Sequence, residues 1–382
     1  MVPVVWKSLP LRFIYSGLFY LIIASAIGLL NLAGYSLKPV HSHLMLAGFV
    51  SLVIIGSMYQ LVPTVTGTEL KLKNLAELSF YLTNLGVLLL IASFFGMIPF
   101  YISGPAYLLG TLAFGMVVLV TLTDMKLKSI AVPFFGLAIA LYMAGTVYGI
   151  LGMSGKIPFR ISVHNHLLTA GWVGVTTFGG LYELFPMLSL RKLRSVTLAY
   201  ITFIILLVSL PIMLYGFQNS ASAMVTYGGA GYALAFLLLS ANLMLTLARE
   251  SETPAPLDIS VKFFVPALLF GMAGVFAGLL NADSFTHSHL MLVGWITLTI
   301  IGAAYHIIPM ITWMEKYSMK LGAEDVPMIA DLFNLKLGEV ILVLSVLGTV
   351  LLLVPGTRMV GGILLFGAFL AFTYDMMMVQ RR

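Results

Sequence analysis

The sequence predicts an all-α, polytopic membrane protein. Hydrophobic residues make up 60% of the 382 residues and charged residues only 9%, whereas soluble domains carry about 25% charged residues. The apolar residues form runs of the length that an α-helix needs to cross a bilayer, about 20 residues, separated by glycine, proline and charged residues. Twelve transmembrane helices are predicted, near 11–34, 41–63, 76–98, 105–123, 130–153, 164–187, 196–216, 222–247, 262–281, 287–312, 337–354 and 359–379.

The basic residues orient these helices. The chain has 20 lysines and arginines against 14 acidic residues, a formal charge of +6. With a cytoplasmic N-terminus, sixteen of the twenty basic residues fall in cytoplasmic segments, as the positive-inside rule requires. We therefore expect both termini on the cytoplasmic side of a prokaryotic inner membrane. Membrane topology then explains the basic charge, and no nucleic-acid partner is expected.

An internal repeat divides the predicted helices into three sets of four. Residues 41–63, 164–186 and 287–309 align without gaps at a constant spacing of 123 residues. Each copy begins H-x-H-L and continues with glycine, an aromatic residue, a second glycine, tyrosine and proline. Each copy forms the second helix of a four-helix unit, so the repeat predicts one membrane domain with pseudo-threefold symmetry. The repeat units are 1–127, 128–252 and 253–382.

Six of the seven histidines lie in the three H-x-H pairs, near the predicted outer face. The pairs are His41/His43, His164/His166 and His287/His289. Residues i and i+2 of an α-helix point about 200° apart, so one pair can serve two neighbouring pockets. Ionisable groups at membrane depth indicate function, and neutral imidazole is a common axial ligand of haem. The seventh histidine, His306, lies about 25 Å further along its helix and is expected to be structural.

A glycine follows the first histidine of each pair by seven residues, on the same helical face. These glycines are Gly48, Gly171 and Gly294. We call these glycines the glycine stripe. Because glycine has no side chain, the helix surface next to the imidazole has room for a planar group such as haem, and we expect the stripe to face haem. Close packing between membrane helices is the alternative explanation for such glycines.

These residues resemble subunit I of the haem–copper oxidase superfamily, which includes cytochrome c oxidases and nitric oxide reductases. The chain is also similar to the NnrS family of haem–copper membrane proteins in size and in its histidine-led helices. The resemblance covers the whole chain in topology and is motif-specific in the second, sixth and tenth helices. Its motif residues are His41, Leu44, Met45 and Gly56, and His287, His289, Gly302 and Tyr305.

The resemblance implies a role for each histidine pair. It implies that His41 and His289 ligate a low-spin haem and that His287 ligates a second haem. It also implies that His164 or His166 occupies the place of the family's first copper ligand. The family takes two further copper ligands from the seventh helix, and residues 195–216 contain no histidine. The resemblance therefore carries over only an incomplete copper site.

The threefold repeat suggests a more general arrangement of three equivalent pockets. Each pocket would be faced by the first histidine of one pair and the second histidine of another. The predicted pairings are His41 with His289, His287 with His166, and His164 with His43. Two or three haems per chain are expected, and two haems would leave the His164/His43 pocket empty or metal-bound. The chain has no cysteine to attach haem covalently, so the haem is predicted to be haem b.

The predicted function is that of a membrane haem b protein of the haem–copper oxidase type. Such a protein carries electrons, or binds or reduces a small diatomic molecule such as nitric oxide or dioxygen. As an enzyme it would be an oxidoreductase, supplied with electrons by quinol or by a separate carrier protein, alone or in a homo- or hetero-oligomer. The second interpretation is a transporter or chaperone for copper or haem that uses the histidine pairs as a relay.

Overall fold

The structure, a computed structural model, describes residues 7–251, 253, 255–322 and 325–382 and is all-helical. We number its long helices in chain order. They are α1 (Leu9–Leu32), α2 (Lys38–Thr66), α3 (Lys73–Phe94), α4 (Phe100–Leu122), α5 (Ala131–Met153), α6 (161–189), α7 (Val196–Asn219), α8 (Ser222–Leu247), α9 (Ile259–Leu279), α10 (Ser284–Lys316), α11 (Leu335–Leu353) and α12 (Arg358–Val379).

Eleven helices of the described chain are long and apolar enough to cross a membrane. The remaining long helix, α6, is not in that group, since glycine, threonine, histidine, asparagine and glutamate dilute its apolar residues. The helix ends lie within five residues of those predicted from the sequence. The chain is a multi-pass membrane protein.

The three H-x-H pairs share a backbone feature that the sequence did not reveal. Each pair lies in a short α-helical segment and is followed at once by a π-helical segment, after which the α-helix resumes. The π-helical segments are Leu44–Val50 in α2, Leu167–Gly174 in α6 and Leu290–Thr297 in α10. π-Helical turns are rare and occur often at functional sites, so this recurrence marks the region below each histidine pair.

The second glycine of each repeat copy lets the histidine-bearing helix approach the helix before it. A Cβ atom at any of these glycines would lie 2.8 Å from the Cβ atom of a phenylalanine on that preceding helix. The contacts are Gly56 with Phe13, Gly179 with Phe134, and Gly302 with Phe263. The three copies therefore share a packing contact as well as a sequence motif.

The chain divides into two compact units. One contains the described part of Met1–Leu61 together with Ile259–Pro266 and Thr297–Arg382. The other contains the described part of Val62–Asp258 together with Ala267–Ile296, and it holds the pairs of α6 and α10. We call it the second unit. The predicted division into three repeat units is a separate, sequence-based one and stays a prediction.

Two local contacts fix the starts of α6 and α10, and with them the positions of the histidines. Asp283 caps α10, where its carboxylate accepts hydrogen bonds from the backbone N–H and the hydroxyl of Thr286, at 3.1 and 2.6 Å. Before α6, the hydroxyl of Tyr148 accepts the backbone N–H of Arg160 at 2.8 Å and donates to the side chain of Gln218 at 2.6 Å. Satisfied donors at a helix start hold its first turn in place.

Candidate metal centre

The first histidine of each pair is held by the preceding helix. Its Nδ1 lies at hydrogen-bond distance from a backbone carbonyl oxygen of that helix. The pairs are His41 with Ala24 at 2.8 Å, His164 with Gly145 at 3.2 Å, and His287 with Gly274 at 2.9 Å. The same contact thus occurs three times, once in each repeat copy.

A glycine four residues after each of these carbonyls makes room for the imidazole ring. A Cβ atom there would approach Cε1 of the histidine to 2.9 Å at Gly28, 2.7 Å at Gly149 and 2.6 Å at Gly278. Real Cβ atoms essentially never come closer than 3.0 Å to such a neighbour. Any larger residue would therefore displace the ring. We call the carbonyl and the glycine together the histidine cradle.

The second histidine of each pair is held by its own helix. Its Nδ1 contacts the carbonyl oxygen four residues earlier. The pairs are His43 with Pro39 at 2.9 Å, His166 with Ser162 at 2.8 Å, and His289 with Phe285 at 2.7 Å. All six paired histidines are therefore oriented through Nδ1 by backbone carbonyls.

These contacts decide the tautomer of the neutral rings. A carbonyl oxygen only accepts hydrogen bonds, so Nδ1 must carry the proton and donate it. The lone pair of the neutral imidazole is then on Nε2, the nitrogen that can bind a metal ion. Metal-ligating histidines commonly donate their other ring N–H to a carbonyl or carboxylate in this way, which fixes the ring and raises its basicity.

Within the second unit, the structure brings His166 and His287 together. Their ring centroids lie 6.4 Å apart and their ring planes differ by 19°. Two imidazoles that bind one metal ion from opposite sides, through nitrogens at about 2 Å each, have ring centroids about 6 Å apart. The Phe217 ring lies 4.5 Å from His166 and adds an apolar wall. The ring separation is the one that a metal ion shared between α6 and α10 requires.

The other predicted pairings remain predictions. His41 and His43 belong to one unit, and His164 and His289 belong to the second unit. The low-spin haem at His41/His289 and the pocket at His164/His43 therefore rest on the resemblance and the repeat.

The copper ligands expected at His164 or His166 lie on α6. Among the described residues there is no group of three or more histidine, cysteine, aspartate or glutamate side chains that could hold a metal ion. His164 and His166 are held from different directions, by a carbonyl of α5 and by a carbonyl of α6 itself. Copper at either histidine stays a prediction from the resemblance.

The glycine stripe faces a different neighbour from the one expected. Gly48, Gly171 and Gly294 each face a side chain of the preceding helix. A Cβ atom would lie 2.9 Å from Tyr20, 3.0 Å from Leu141 and 2.6 Å from Phe270, respectively. These glycines therefore serve close helix packing. The expectation assumed 3.6 residues per turn throughout, whereas each glycine lies in a π-helical segment, which has more residues per turn.

The cradle glycines are the site residues that the sequence analysis missed. Gly28, Gly149 and Gly278 precede the first histidine of their pairs by different numbers of residues, so the fixed-spacing repeat does not align them. Their signal was weaker: each lies near the end of the helix before an H-x-H pair. Only the structure shows that an imidazole ring lies over each of them.

Aromatic side chains enclose the helix turns below the pair on α6. The rings of Trp172 and Tyr142 are stacked at 4.3 Å with an interplanar angle of 6°. The hydroxyl of Tyr142 is hydrogen-bonded to that of Tyr107 on α4 at 2.6 Å. All three side chains are buried. This cluster ties α4, α5 and α6 together below the α6 histidines.

Comparison with known proteins agrees with the helical architecture. No family model matches the chain. An uncharacterized protein of Aquifex aeolicus (strain VF5) is 27% identical over 296 residues, which cover 72% of this chain and 71% of that protein. A solved structure of a haem–copper terminal oxidase dimer covers 98% of this chain and 82% of the matched chain, with a TM-score of 0.67 and 14% sequence identity. The chain has the fold of a haem–copper terminal oxidase chain, as the resemblance predicted.

Proposed function

We propose that this protein is a membrane haem b protein whose second unit holds one haem between His166 and His287. The proposal rests on one observation: two imidazole rings on different helices, 6.4 Å apart and within 19° of parallel. Each ring is oriented by a carbonyl at Nδ1. The oxidase fold supports haem as the metal group. The chain has no cysteine, so the haem would be bound without a thioether link.

The protein's own residues would bind, orient and shield this haem. His166 and His287 would hold the haem iron, and Phe217 would border the site on the side of α7. A haem with both positions filled transfers electrons and leaves no open position for a gas. By the repeat, the remaining paired histidines His41, His43, His164 and His289 would serve further haems, which gives two or three haems per chain. A haem ligated on one side only would be the place to bind or reduce nitric oxide or dioxygen.

The cellular setting is part of the same proposal. The excess of basic residues on one side favours an inner membrane of a prokaryote with both termini cytoplasmic. The histidine pairs would then lie near the outer face. Electrons would come from quinol or from a separate carrier protein, because no cysteine is present for a thiolate copper centre. The structural neighbour is a dimer, which favours an oligomer here too.

A reduced-minus-oxidised absorbance spectrum of the purified protein tests the proposal. We expect sharp low-spin b-type bands and at least one haem per chain. Carbon monoxide added to the reduced protein should leave the haem with two histidine ligands unchanged and should shift the bands of any haem with one open position. A colourless protein that binds copper would contradict the proposal and support a copper transporter or chaperone.

A further inference from the structure

Two loops of the second unit carry a dense group of basic residues. The first loop joins α6 to α7 and contains Arg191, Lys192 and Arg194; the second follows α8 and contains Arg249. The side chains are exposed or partly exposed. We call these four residues the basic loop cluster. It lies at the end of α6 opposite to His164 and His166.

The cluster is held together by its own backbone carbonyls. The guanidinium of Arg191 donates to the carbonyl of Arg249 at 2.8 Å and to that of Ser189 at 2.7 Å. The guanidinium of Arg249 donates to the carbonyls of Lys192 and Leu193, both at 3.3 Å. Carbonyls are neutral acceptors, so these bonds fix the two loops without neutralising the positive charge.

The loops lie at the end of two tightly joined membrane helices. The backbone N–H of Ser195 donates to the side chain of Asn242 at 3.0 Å, and the Asn242 amide donates back to the Ser195 carbonyl at 2.8 Å. The backbone N–H of Arg194 donates to the Thr246 hydroxyl at 2.8 Å. The cluster is therefore fixed to the ends of α7 and α8.

The surface next to the cluster is apolar. On α7, Val196 and Tyr200 are 54% and 48% exposed; on α8, Leu245 is 52% exposed. Exposed apolar side chains on membrane-spanning helices are suited to contact with acyl chains. Positive charge at the membrane boundary thus adjoins an apolar helix surface. The acidic residues that the structure describes in these two loops are Glu250 and Asp258.

We propose that the basic loop cluster binds an anionic phospholipid. The phosphate would be held by Arg191, Arg194 and Lys192, with Arg249 closing the group, and the acyl chains would lie along α7 and α8. Guanidinium groups suit phosphate because their fork of donors matches its oxygens. Basic groups at the ends of membrane helices attract anionic headgroups. The inference is independent of the proposed haem function.

Native mass spectrometry of the purified full-length protein tests this site. The protein is mixed with detergent micelles that contain phosphatidylglycerol or, in parallel, phosphatidylcholine. The double variant Lys192→Gln/Arg194→Gln is compared with the control Lys126→Gln/Lys128→Gln, which removes two exposed basic residues from the loop between α4 and α5. The side chains replaced in the two variants make none of the arginine–carbonyl bonds described above, which come from Arg191 and Arg249.

We expect phosphatidylglycerol to remain bound to the wild-type protein and to the control. A basic residue near an anionic surface contributes about five-fold in affinity, so the double variant in the cluster should bind about thirty-fold more weakly. Equal retention of phosphatidylcholine, or an equal loss in the control, would overturn the proposal. Inorganic phosphate that displaces the lipid at equal concentration would assign the site to free phosphate instead.

Discussion

At the scale of single residues, the site is defined by how each imidazole is held. The first histidine of each pair donates from Nδ1 to the preceding helix, and the second donates to its own helix. The two histidines of one pair are thus oriented independently although only one residue separates them. Residue types and spacing identified all six histidines from the sequence. The cradle glycines could not be identified that way, because their role depends on which helix packs against which.

The cradle predicts the effect of adding one methyl group. In Gly278→Ala the new Cβ would lie 2.6 Å from Cε1 of His287, so the ring must move and its bond to the Gly274 carbonyl must weaken. We expect metal or haem affinity at this site to fall about ten-fold or more, as for other lost supporting contacts. Haem titration of the purified protein measures this change.

Gly136→Ala is the matched control for this substitution. It also adds a methyl group to a membrane helix, α5, but no atom lies within 4 Å of the new Cβ. Its haem affinity should equal that of the wild type. The cradle would lose its assigned role if both alanine variants bound haem equally well.

At the scale of elements, the helix bounds were predictable and the π-helical segments were not. Apolar length fixes where a membrane helix begins and ends, and the observed ends agree with the prediction within five residues. The change to π-helix after each H-x-H pair alters which side chains face a neighbour. Gly48, Gly171 and Gly294 were therefore expected to face haem, whereas in the structure they pack against α1, α5 and α9.

Two buried polar side chains make the same kind of contact in two pairs of helices. The carboxylate of Asp375 on α12 accepts the backbone N–H of Asn334 at 3.1 Å, at the start of α11. The amide oxygen of Asn242 on α8 accepts the backbone N–H of Ser195 at 3.0 Å, at the start of α7. The same bond is thus made by an acid in one place and by an amide in the other.

This correspondence predicts the tolerance of position 375. Asp375→Asn should keep the bond to Asn334 and leave the thermal stability in detergent nearly unchanged. In the wild-type protein the Asp375 carboxylate accepts hydrogen bonds from the Asn334 N–H at 3.1 Å and from the Tyr305 hydroxyl at 3.3 Å. The leucine side chain in Asp375→Leu accepts neither bond. Because these buried donors are left without a partner, the free energy of unfolding should fall by about 1–3 kcal/mol. Equal melting temperatures for the two variants would contradict this role.

At the scale of the whole molecule, sequence and structure agree on an all-helical, multi-pass membrane protein. Composition predicts a membrane protein, apolar runs predict its helices, and histidine motifs predict the oxidase fold that the structural comparison finds over 98% of the chain. The distance between His166 and His287 needed the structure, because it depends on the packing of helices more than a hundred residues apart in the chain. Charge distribution predicts the orientation, which a topology assay on both termini can measure.

The low-spin haem absorbance of four variants tests the central claim most directly. Both histidines would bind one iron, so His166→Ala, His287→Ala and the double variant should all lose the same amount of this absorbance. His306→Gln is the control, since His306 lies seventeen residues beyond His289 and glutamine occupies the equivalent position in the first repeat copy. It should lose none. Losses that add in the double variant, or no loss in either single variant, would contradict a shared haem between His166 and His287.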